Sequence, residues 1–328
     1  MYFSSLLAAA VATAPLAVYA KGQLGYALGS RMPDGSCKAQ ADYAADLVVL
    51  KDTATIVRTY ANVDAGDTSG PLCYVPGALL PAAEAAGVKV ILGIWADTNE
   101  AFDADAAQFF EYAAQYESTI YAVTVGSESL YRNQEDSSTG LTAQALLNQI
   151  QKFNDQLQSN GLAGKFKVGT ADSWNKYQDG TADPIITSGA VDILLVNAFG
   201  YWQGQLISNA TATYLDDLQQ AYGHIQDVAG STTSIELWNG ETGWPTDGGT
   251  NYGAAIAGTA NAFTFYKQGV CAALDWNFNV FYFEAFDEPW KPESTGADGQ
   301  PGNEIHWGAY NADRSPKFSD YSCTYTSS

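Results

Sequence analysis

Two glutamates follow apolar runs that end in a glycine-containing turn, and their position suits acid–base chemistry on a sugar bond. Glu128 comes after Tyr121–Ser127, and Glu241 comes after Ile235–Gly240. Cleavage of a glycosidic bond needs one acid that protonates the leaving oxygen and one carboxylate that attacks carbon or activates water. A single glutamate at a strand end would more often form a salt bridge. Two of them, with aromatic residues nearby, predict a catalytic pair.

The scarcity of histidine argues against other hydrolytic chemistries. The chain has 2 histidines, and neither lies near a serine or cysteine nucleophile in a signature context. We assign His224, in a helical stretch, to the surface or to packing, and His306, in a late loop, to the rim of the site. A serine triad or a histidine-based metal site is therefore not predicted, and we expect no metal ion and no cofactor.

The elements that would position the two glutamates alternate between strand-like runs and helical segments. Several runs, such as Val90–Ile94, are apolar on both faces, which is typical of parallel strands covered by helices. The strand-like runs are Leu24–Leu28, Thr55–Tyr60, Lys89–Trp95, Ile120–Val125, Phe166–Thr170, Ile193–Asn197, Ser234–Trp238 and Val280–Phe283. The helical segments include Ala39–Lys51, Val75–Ala86, Ala101–Tyr116, Thr142–Asn160, Thr213–Val228 and Gly253–Gln268.

Strands alternating with helices over roughly 300 residues match the size of a TIM barrel. We therefore predict the α/β class, with a single-domain (β/α)₈ barrel over residues 21–328. A doubly wound open sheet is the alternative, but Tyr26–Ser30 after the first strand supplies no glycine-rich phosphate loop. Active sites of such barrels lie at the carboxyl ends of the strands. Acids, amides and aromatic residues occupy those ends here: Arg58, Tyr60, Trp95, Asp97, Ser127, Glu128, Asp172, Asn197, Tyr201, Asn239, Glu241, Glu284, Asp287 and Glu288.

The charge balance restricts the partners. The formal net charge is −21, from 36 acidic and 15 basic residues. Such a surface repels nucleic acid and anionic membranes, so neither is a predicted partner. A neutral polysaccharide is not repelled. We expect a monomer.

The N-terminus predicts export. Residues 1–20 contain no charged side chain and end in Ala20, which is typical of a secretory leader removed near Lys21. A membrane anchor is the alternative, but the serines, threonine and proline in this stretch make a poor spanning helix. No later run is long and apolar enough to cross a bilayer. We therefore expect a soluble mature protein that is secreted to the extracellular space or cell wall.

The cysteines support an extracellular location. An even count of 4 in a secreted chain predicts disulfides, for which three pairings are possible. We favour Cys37 with Cys73 and Cys271 with Cys323, since each pair would join neighbouring parts of the barrel. Their irregular spacing does not suit a zinc site. Asn209, in an Asn-Ala-Thr sequence, is a possible glycosylation acceptor in an exposed loop.

Three motifs resemble those of glycoside hydrolase family 17, the β-1,3-glucanases of fungi and plants. Gly240–Thr246 (GETGWPT) looks like the nucleophile signature of that family. Val125–Glu128 is similar to its acid/base strand end, and Phe281–Lys291 to its last-strand motif. With Arg58–Tyr60 included, the set resembles the fungal branch. The resemblance runs from Leu24 to the final loop.

Membership would imply a retaining mechanism on β-1,3-glucan without a cofactor, with Glu128 as general acid/base and Glu241 as nucleophile. Glu128 would then need a pKa raised by burial and by the charge of Glu241. Glu241 must stay ionised, and Tyr201 and Asn197 are candidate donors to it. In a retaining enzyme the two carboxyl groups lie about 5–5.5 Å apart, and we predict that separation here.

Two positions depart from the family pattern. Many members carry asparagine before the acid/base, where it can hold the sugar 2-hydroxyl. Ser127 is shorter, so that contact is lost or passes through water. Asn239 is polar where the family often has an apolar strand residue. Neither change removes a carboxylate.

The resemblance also suggests that Glu284 and Lys291 belong to a network that supports the nucleophile or binds sugar. A structural salt-bridge set that closes the barrel is an equal alternative. Trp244 is predicted to pack beneath the nucleophile, whereas Tyr60, Tyr201 and Trp307 are preferred as sugar contacts. The complete set of predicted substrate-binding residues is Tyr60, Ser127, Asn197, Tyr201, Glu284, Asp287, Lys291 and Trp307.

Three functions remain open from the sequence. The first is a retaining β-1,3-glucan-active enzyme that degrades or remodels cell-wall glucan, as hydrolase or glucanosyltransferase. The second is a non-catalytic glucan-binding or host-interacting barrel that has kept the cleft. The third is a related barrel glycosidase acting on β-1,4 or mixed glucans. The presence of both carboxylates favours the enzymes.

Overall fold

Eight parallel strands form a closed barrel in the computed structural model, which describes residues 22–66, 70–247, 251–292, 294–295, 301–302 and 304–323. The first strand pairs with both the second and the last, which closes the sheet. The predicted (β/α)₈ barrel is therefore confirmed and the open sheet is excluded. The predicted leader, residues 1–20, lies outside the described residues. The barrel strands are β1 (Leu24–Ala27), β2 (Ile56–Arg58), β3 (Lys89–Ile94), β4 (Ile120–Ser127), β5 (Lys167–Ser173), β6 (Ile193–Asn197), β7 (Glu236–Thr242) and β8 (Asn279–Tyr282).

Helices cover the outside of this barrel. They are α1 (Gln40–Leu50), α2 (Val75–Ala86), α3 (Asn99–Tyr112), α4 (Ser129–Glu135), α5 (Ala143–Ser159), α6 (Trp174–Gln178), α7 (Asp183–Ile186), α8 (Ile207–Ala229), α9 (Thr259–Phe265) and α10 (Cys271–Asp275). The predicted helix over Gly253–Gln268 is wrong in its first half. Gly253 and Gly258 adopt positive φ angles of 57° and 154°, which an α-helix does not allow, so α9 begins at Thr259.

The barrel interior is filled by one apolar cluster, separate from the larger core between strands and helices. Its members come from alternate positions of the strands, as side-chain alternation requires. They are Ile56, Ile91, Ala122, Ala171, Ile193, Leu195, Trp238 and Phe281. This cluster fills the interior of the barrel. The inward-facing residues that follow it along the strands lie at the carboxyl ends, where they line a cleft.

Both predicted disulfides are present. Cys37 bonds to Cys73 and Cys271 bonds to Cys323, with Cα–Cα distances of 5.3 and 5.1 Å. Asn209 is exposed, but it lies in the first turn of α8 rather than in the predicted loop. Within the part of the chain that the structure describes, no helix has the length and apolar character needed to cross a membrane.

Candidate active site

A β-bulge turns Glu241 into the mouth of the barrel. Asn197 of β6 pairs with Glu241, whereas the preceding β6 residue pairs with Asn239, so Gly240 is an extra residue in β7. Trp238 faces the interior, and strict alternation from it would point Glu241 toward the helices. The bulge inverts the alternation. A Cβ on Gly240 would lie 2.6 Å from Asn197 Oδ1, so the bulge requires glycine at this position.

A second irregularity precedes Glu128. Between Thr124 and Ser127, β4 advances three residues while its partner β5 advances two. Gly126 lies within this stretch with a φ of 83°. Glu128 itself has φ 53° and ψ 29°, in the left-handed region, and its amide donates to Ala171 O at 2.9 Å. Residues held in sparsely populated backbone regions are frequent at active sites.

Asp172 fixes the turn that carries Glu128. Its buried carboxylate accepts the backbone N–H groups of Leu130 (2.8 Å) and Tyr131 (3.1 Å) in the first turn of α4, and that of Ser173 (2.9 Å). Burial, and then the charge of Glu128, raise the pKa of Asp172 to about 7. The helix that begins after Glu128 is thereby anchored to β5.

Arg58 joins the ends of three strands. Its fully buried guanidinium donates through Nη1 to Glu241 Oε1 at 3.0 Å and to the Gly240 carbonyl at 2.9 Å. Through Nη2 it donates to Ser127 Oγ at 3.1 Å. The guanidinium carbon also lies 4.7 Å from the centre of the Tyr60 ring. This ion pair opposes the effect of burial, which alone would raise the pKa of Glu241 further.

The expected donors to Glu241 therefore need correction. Asn197 Nδ2 donates to Glu128 Oε1 at 3.0 Å, not to Glu241. Tyr201 is only 3% exposed and packs among aromatic rings. Arg58 takes the role that the sequence analysis gave to these two residues. The feature of the sequence that could have identified Arg58 is a charged residue at the end of an apolar strand.

The two glutamates influence each other's titration. Burial raises the pKa of Glu128. Burial raises the pKa of Glu241 to about 7, opposed by the Arg58 guanidinium and reinforced by the charge of Glu128. Interacting acids titrate as a pair. Since Arg58 contacts Glu241 directly, we place the first negative charge on Glu241 and the shared proton on Glu128.

One cleft of about 380 Å³ contains both carboxyl groups. Of the predicted residues it brings together Glu128, Asn197 and Glu241. The other lining residues were not among the predicted site residues, although many of them lie just beyond β5 and β6. They are Tyr131, Ser173, Trp174, Asn175, Phe199, Trp202, Gln203, Tyr252, Phe283 and Glu304.

Comparison with known proteins agrees with this geometry. Residues 25–308 match the family described as BtgE/BtgC glycoside hydrolase domain. The chain belongs to this family, within glycoside hydrolase family 17. It is similar to a glucan 1,3-beta-glucosidase of Arthroderma benhamiae, at 49% identity over 97% of this chain and 96% of the relative. A glucan 1,3-beta-glucosidase of Saccharomyces cerevisiae is 39% identical over 97% and 98%.

Solved structures show the same relationship. The family 17 beta-1,3-glucanosyltransferase of Rhizomucor miehei matches with a TM-score of 0.69 at 28% identity, covering 89% of this chain and 94% of that one. An active-site mutant of a beta-1,3-glucanosyltransferase from the same organism, in complex with laminaritriose, matches with a TM-score of 0.70 at 27% identity, covering 90% and 95%.

A second cavity of this family 17 barrel, about 440 Å³, lies beside β1, β2 and β8. Its wall includes Tyr60, Glu284, Glu288 and Lys291. Lys291 Nζ lies 2.8 Å from Glu284 Oε2 and 2.9 Å from Glu288 Oε2. The other carboxylate oxygen of each glutamate is buried without a hydrogen-bond partner. The cluster is thus a salt-bridge network in the wall of a cavity, and its role in supporting the nucleophile or binding sugar stays a prediction.

Four predicted sugar contacts of the family 17 chain lie away from both cavity walls, namely Ser127, Tyr201, Asp287 and Trp307. Asp287 pairs with Lys317 Nζ at 2.5 Å and accepts the Gly308 amide at 3.0 Å. Trp307 is fully buried and stacks on Trp202 at 5.2 Å between ring centres. The geometry therefore gives Trp307 a supporting place behind a cleft residue, not a direct contact.

The other residues named from the sequence, His306, His224 and Trp244, contact other side chains of the protein. His306 Nδ1 lies 3.5 Å from Asp287 Oδ2 at the surface, and His224 Nε2 lies 2.8 Å from Asp183 Oδ1. Trp244 is fully buried against the ring of Tyr201. Among the described residues, no group of three His, Cys, Asp or Glu side chains is arranged to hold a metal ion.

Proposed function

We propose that this protein is a retaining glycoside hydrolase that acts on β-1,3-glucan by double displacement. One observation carries the proposal. Glu128 at the end of β4 and Glu241 at the end of β7 line the same cleft, and Arg58 contacts only the second of them directly. The names of the relatives support the β-1,3 linkage as substrate.

In the first step the ionised Glu241 attacks the anomeric carbon, and Glu128 donates its proton to the leaving oxygen. The C–O bond to the leaving sugar breaks while an ester to Glu241 forms. Asn197 orients Glu128, since its amide donates to Oε1 and leaves Oε2 to carry the proton. Arg58 stabilises the carboxylate before attack and receives it again when the ester is cleaved.

In the second step Glu128, now ionised, removes a proton from the acceptor that displaces Glu241. Water as acceptor gives hydrolysis, and a sugar hydroxyl gives transfer. Tyr131, Trp174 and Trp202 line the same cleft and offer partly exposed aromatic faces to a sugar ring. The proposal includes glucanosyl transfer alongside hydrolysis, in line with the named activity of the Rhizomucor miehei relative.

A time course with a β-1,3-glucan oligosaccharide labelled at its reducing end tests the proposal. The anomeric configuration of the first products, followed by proton NMR, should be β, as in the substrate. Glu241→Gln should abolish turnover. Products longer than the substrate would establish transfer, whereas α products or no turnover on any β-glucan would reject the retaining enzyme. If no β-glucan is turned over, the non-catalytic binding barrel becomes the better description of the protein.

The location of the protein is part of the same proposal. The uncharged residues 1–20 direct secretion, and the two disulfides suit an oxidising compartment. We place the mature, monomeric enzyme in the cell wall or culture medium. Edman sequencing of the secreted protein should begin near Lys21. Retention in the cell with an intact N-terminus would contradict this part.

A further inference from the structure

Asn239 is buried on the outer side of the barrel, two residues before Glu241. Its side-chain amide donates to Val196 O of β6 at 2.7 Å and to the carbonyl of Glu241 at 2.9 Å. Its Oδ1 accepts the hydroxyl of Tyr214, from α8, at 3.0 Å. Every polar atom of this side chain is therefore used, and each contact lies outside the cleft.

These contacts enclose the bulge that reorients Glu241. Gly240, the extra residue, lies between Asn239 and Glu241, and the amide spans it by bonding the carbonyl on its far side. A bulge locally disrupts the regular ladder of hydrogen bonds. The Glu241 carbonyl also accepts the amide of Ala198 at 2.9 Å, so the Asn239 amide adds a second bond to it across the bulge. An apolar side chain at this position makes neither donation, so it cannot hold the bulge in this way.

We propose that Asn239 is a positioning residue for the nucleophile. It fixes the shape of the Gly240 bulge, and Tyr214 fixes the orientation of its amide. The direction of the Glu241 carboxylate toward the sugar thus depends on a hydrogen-bond chain that begins on helix α8. The inference rests on the proposed role of Glu241.

The test uses Asn239→Leu, which keeps a similar volume, and Tyr214→Phe, which removes only the hydroxyl. The measured quantity is the rate at which a 2-deoxy-2-fluoro-laminaribiosyl fluoride labels the purified full-length enzyme covalently. Fluoride needs little help from a general acid, so this rate reports attack by Glu241. Circular dichroism and the thermal midpoint identify variants that have not folded.

We expect Asn239→Leu to slow labelling by about 10²-fold, as expected for a misplaced reacting group. Tyr214→Phe, which loses one hydrogen bond, should slow it by about fivefold. KM for a β-1,3-glucan oligosaccharide should stay near the native value while kcat falls. Asp105→Asn, at a buried carboxylate that lines neither cavity, should leave the labelling rate unchanged.

Three outcomes would overturn the inference. If folded Asn239→Leu is labelled at the native rate, Asn239 does not position the nucleophile. If Asn239→Leu does not fold, native-rate labelling of Tyr214→Phe leads to the same conclusion. If the native protein is labelled at a carboxylate other than Glu241, the proposed function fails first and this inference fails with it.

Discussion

The guanidinium of Arg58, on β2, lies 3.0 Å from the carboxylate of Glu241, on β7, although these strands are not neighbours in the barrel. The same group also reaches Ser127 at the end of β4. One buried cation therefore sets the charge of one glutamate and links it to the strand end that carries the other. This contact makes two chemically identical side chains unequal.

Two substitutions of Arg58 should distinguish the effect of its positive charge from the effect of its hydrogen-bonding geometry. Arg58→Met removes the cation, so the pKa of Glu241 should rise further and the acidic limb of kcat/KM should move to higher pH. Arg58→Lys keeps the charge but loses the fork that bonds three acceptors. We expect kcat to fall by about 10²–10³-fold in Arg58→Met and less in Arg58→Lys. An unchanged acidic limb in Arg58→Met would contradict the assignment of Arg58.

Glu128→Gln should impair only reactions that need an acid. Turnover of β-1,3-glucan should fall by about 10²–10⁴-fold, because the leaving sugar oxygen then departs without a proton. A dinitrophenyl β-laminaribioside has a leaving group that needs none, so its first step should stay close to the native rate. A rapid-mixing burst of dinitrophenol measures that step. Equal losses on both substrates would show that Glu128 is not the acid.

Asp172→Asn should change the pH dependence of kcat/KM through its effect on Glu128. Removing the charge beside Glu128 lowers the pKa of Glu128, so the basic limb of kcat/KM should move to lower pH. Asp105→Asn is the matched control. Asp105 is also buried, also accepts backbone amides, from Val63 and Trp95 at 2.6 Å, and also has a pKa raised to about 7 by burial.

Asp105 acts at a different part of the rim, so the profile of Asp105→Asn should coincide with that of the native enzyme. Equal displacement of the basic limb in both variants would show that the effect is a general loss of structure. It would not then report on Glu128.

Lys291→Met should destabilise the fold in a pH-dependent way. Burial raises the pKa of Glu284, and without Lys291 the buried pair Glu284 and Glu288 lacks its cation. The folded variant then binds protons that the unfolded chain has released. Its loss of unfolding free energy should therefore be small near pH 4 and grow toward pH 8. Urea denaturation at several pH values measures it.

Lys267→Met, which breaks a more exposed pair with Asp320, is the control for Lys291→Met. Surface pairs contribute little to stability and vary little with pH in this range. If both lysine variants show the same flat pH dependence, the Glu284, Glu288 and Lys291 network does not contribute as the structure indicates.

The sequence by itself determined the barrel and the strand ends at which Glu128 and Glu241 stand. It left three disulfide pairings possible and favoured the one that forms. Apolar periodicity and turns are local properties, and they recur eight times along the chain in the same order. They predicted the bounds of β6 and α2 correctly, and they failed over Gly253–Gln268, where two glycines with positive φ interrupt a helical pattern.

Only the tertiary structure decided which side chains meet. Arg58 and Glu241 are 183 residues apart in the chain, and their contact depends on how the strands are staggered. The bulge at Gly240 has the same origin, because an extra residue in β7 becomes visible only against its partner strand. Asn197 and Asp287 were placed by proximity to strand ends, and Trp307 by its aromatic ring. Their neighbours follow from packing between distant elements, which no local pattern encodes.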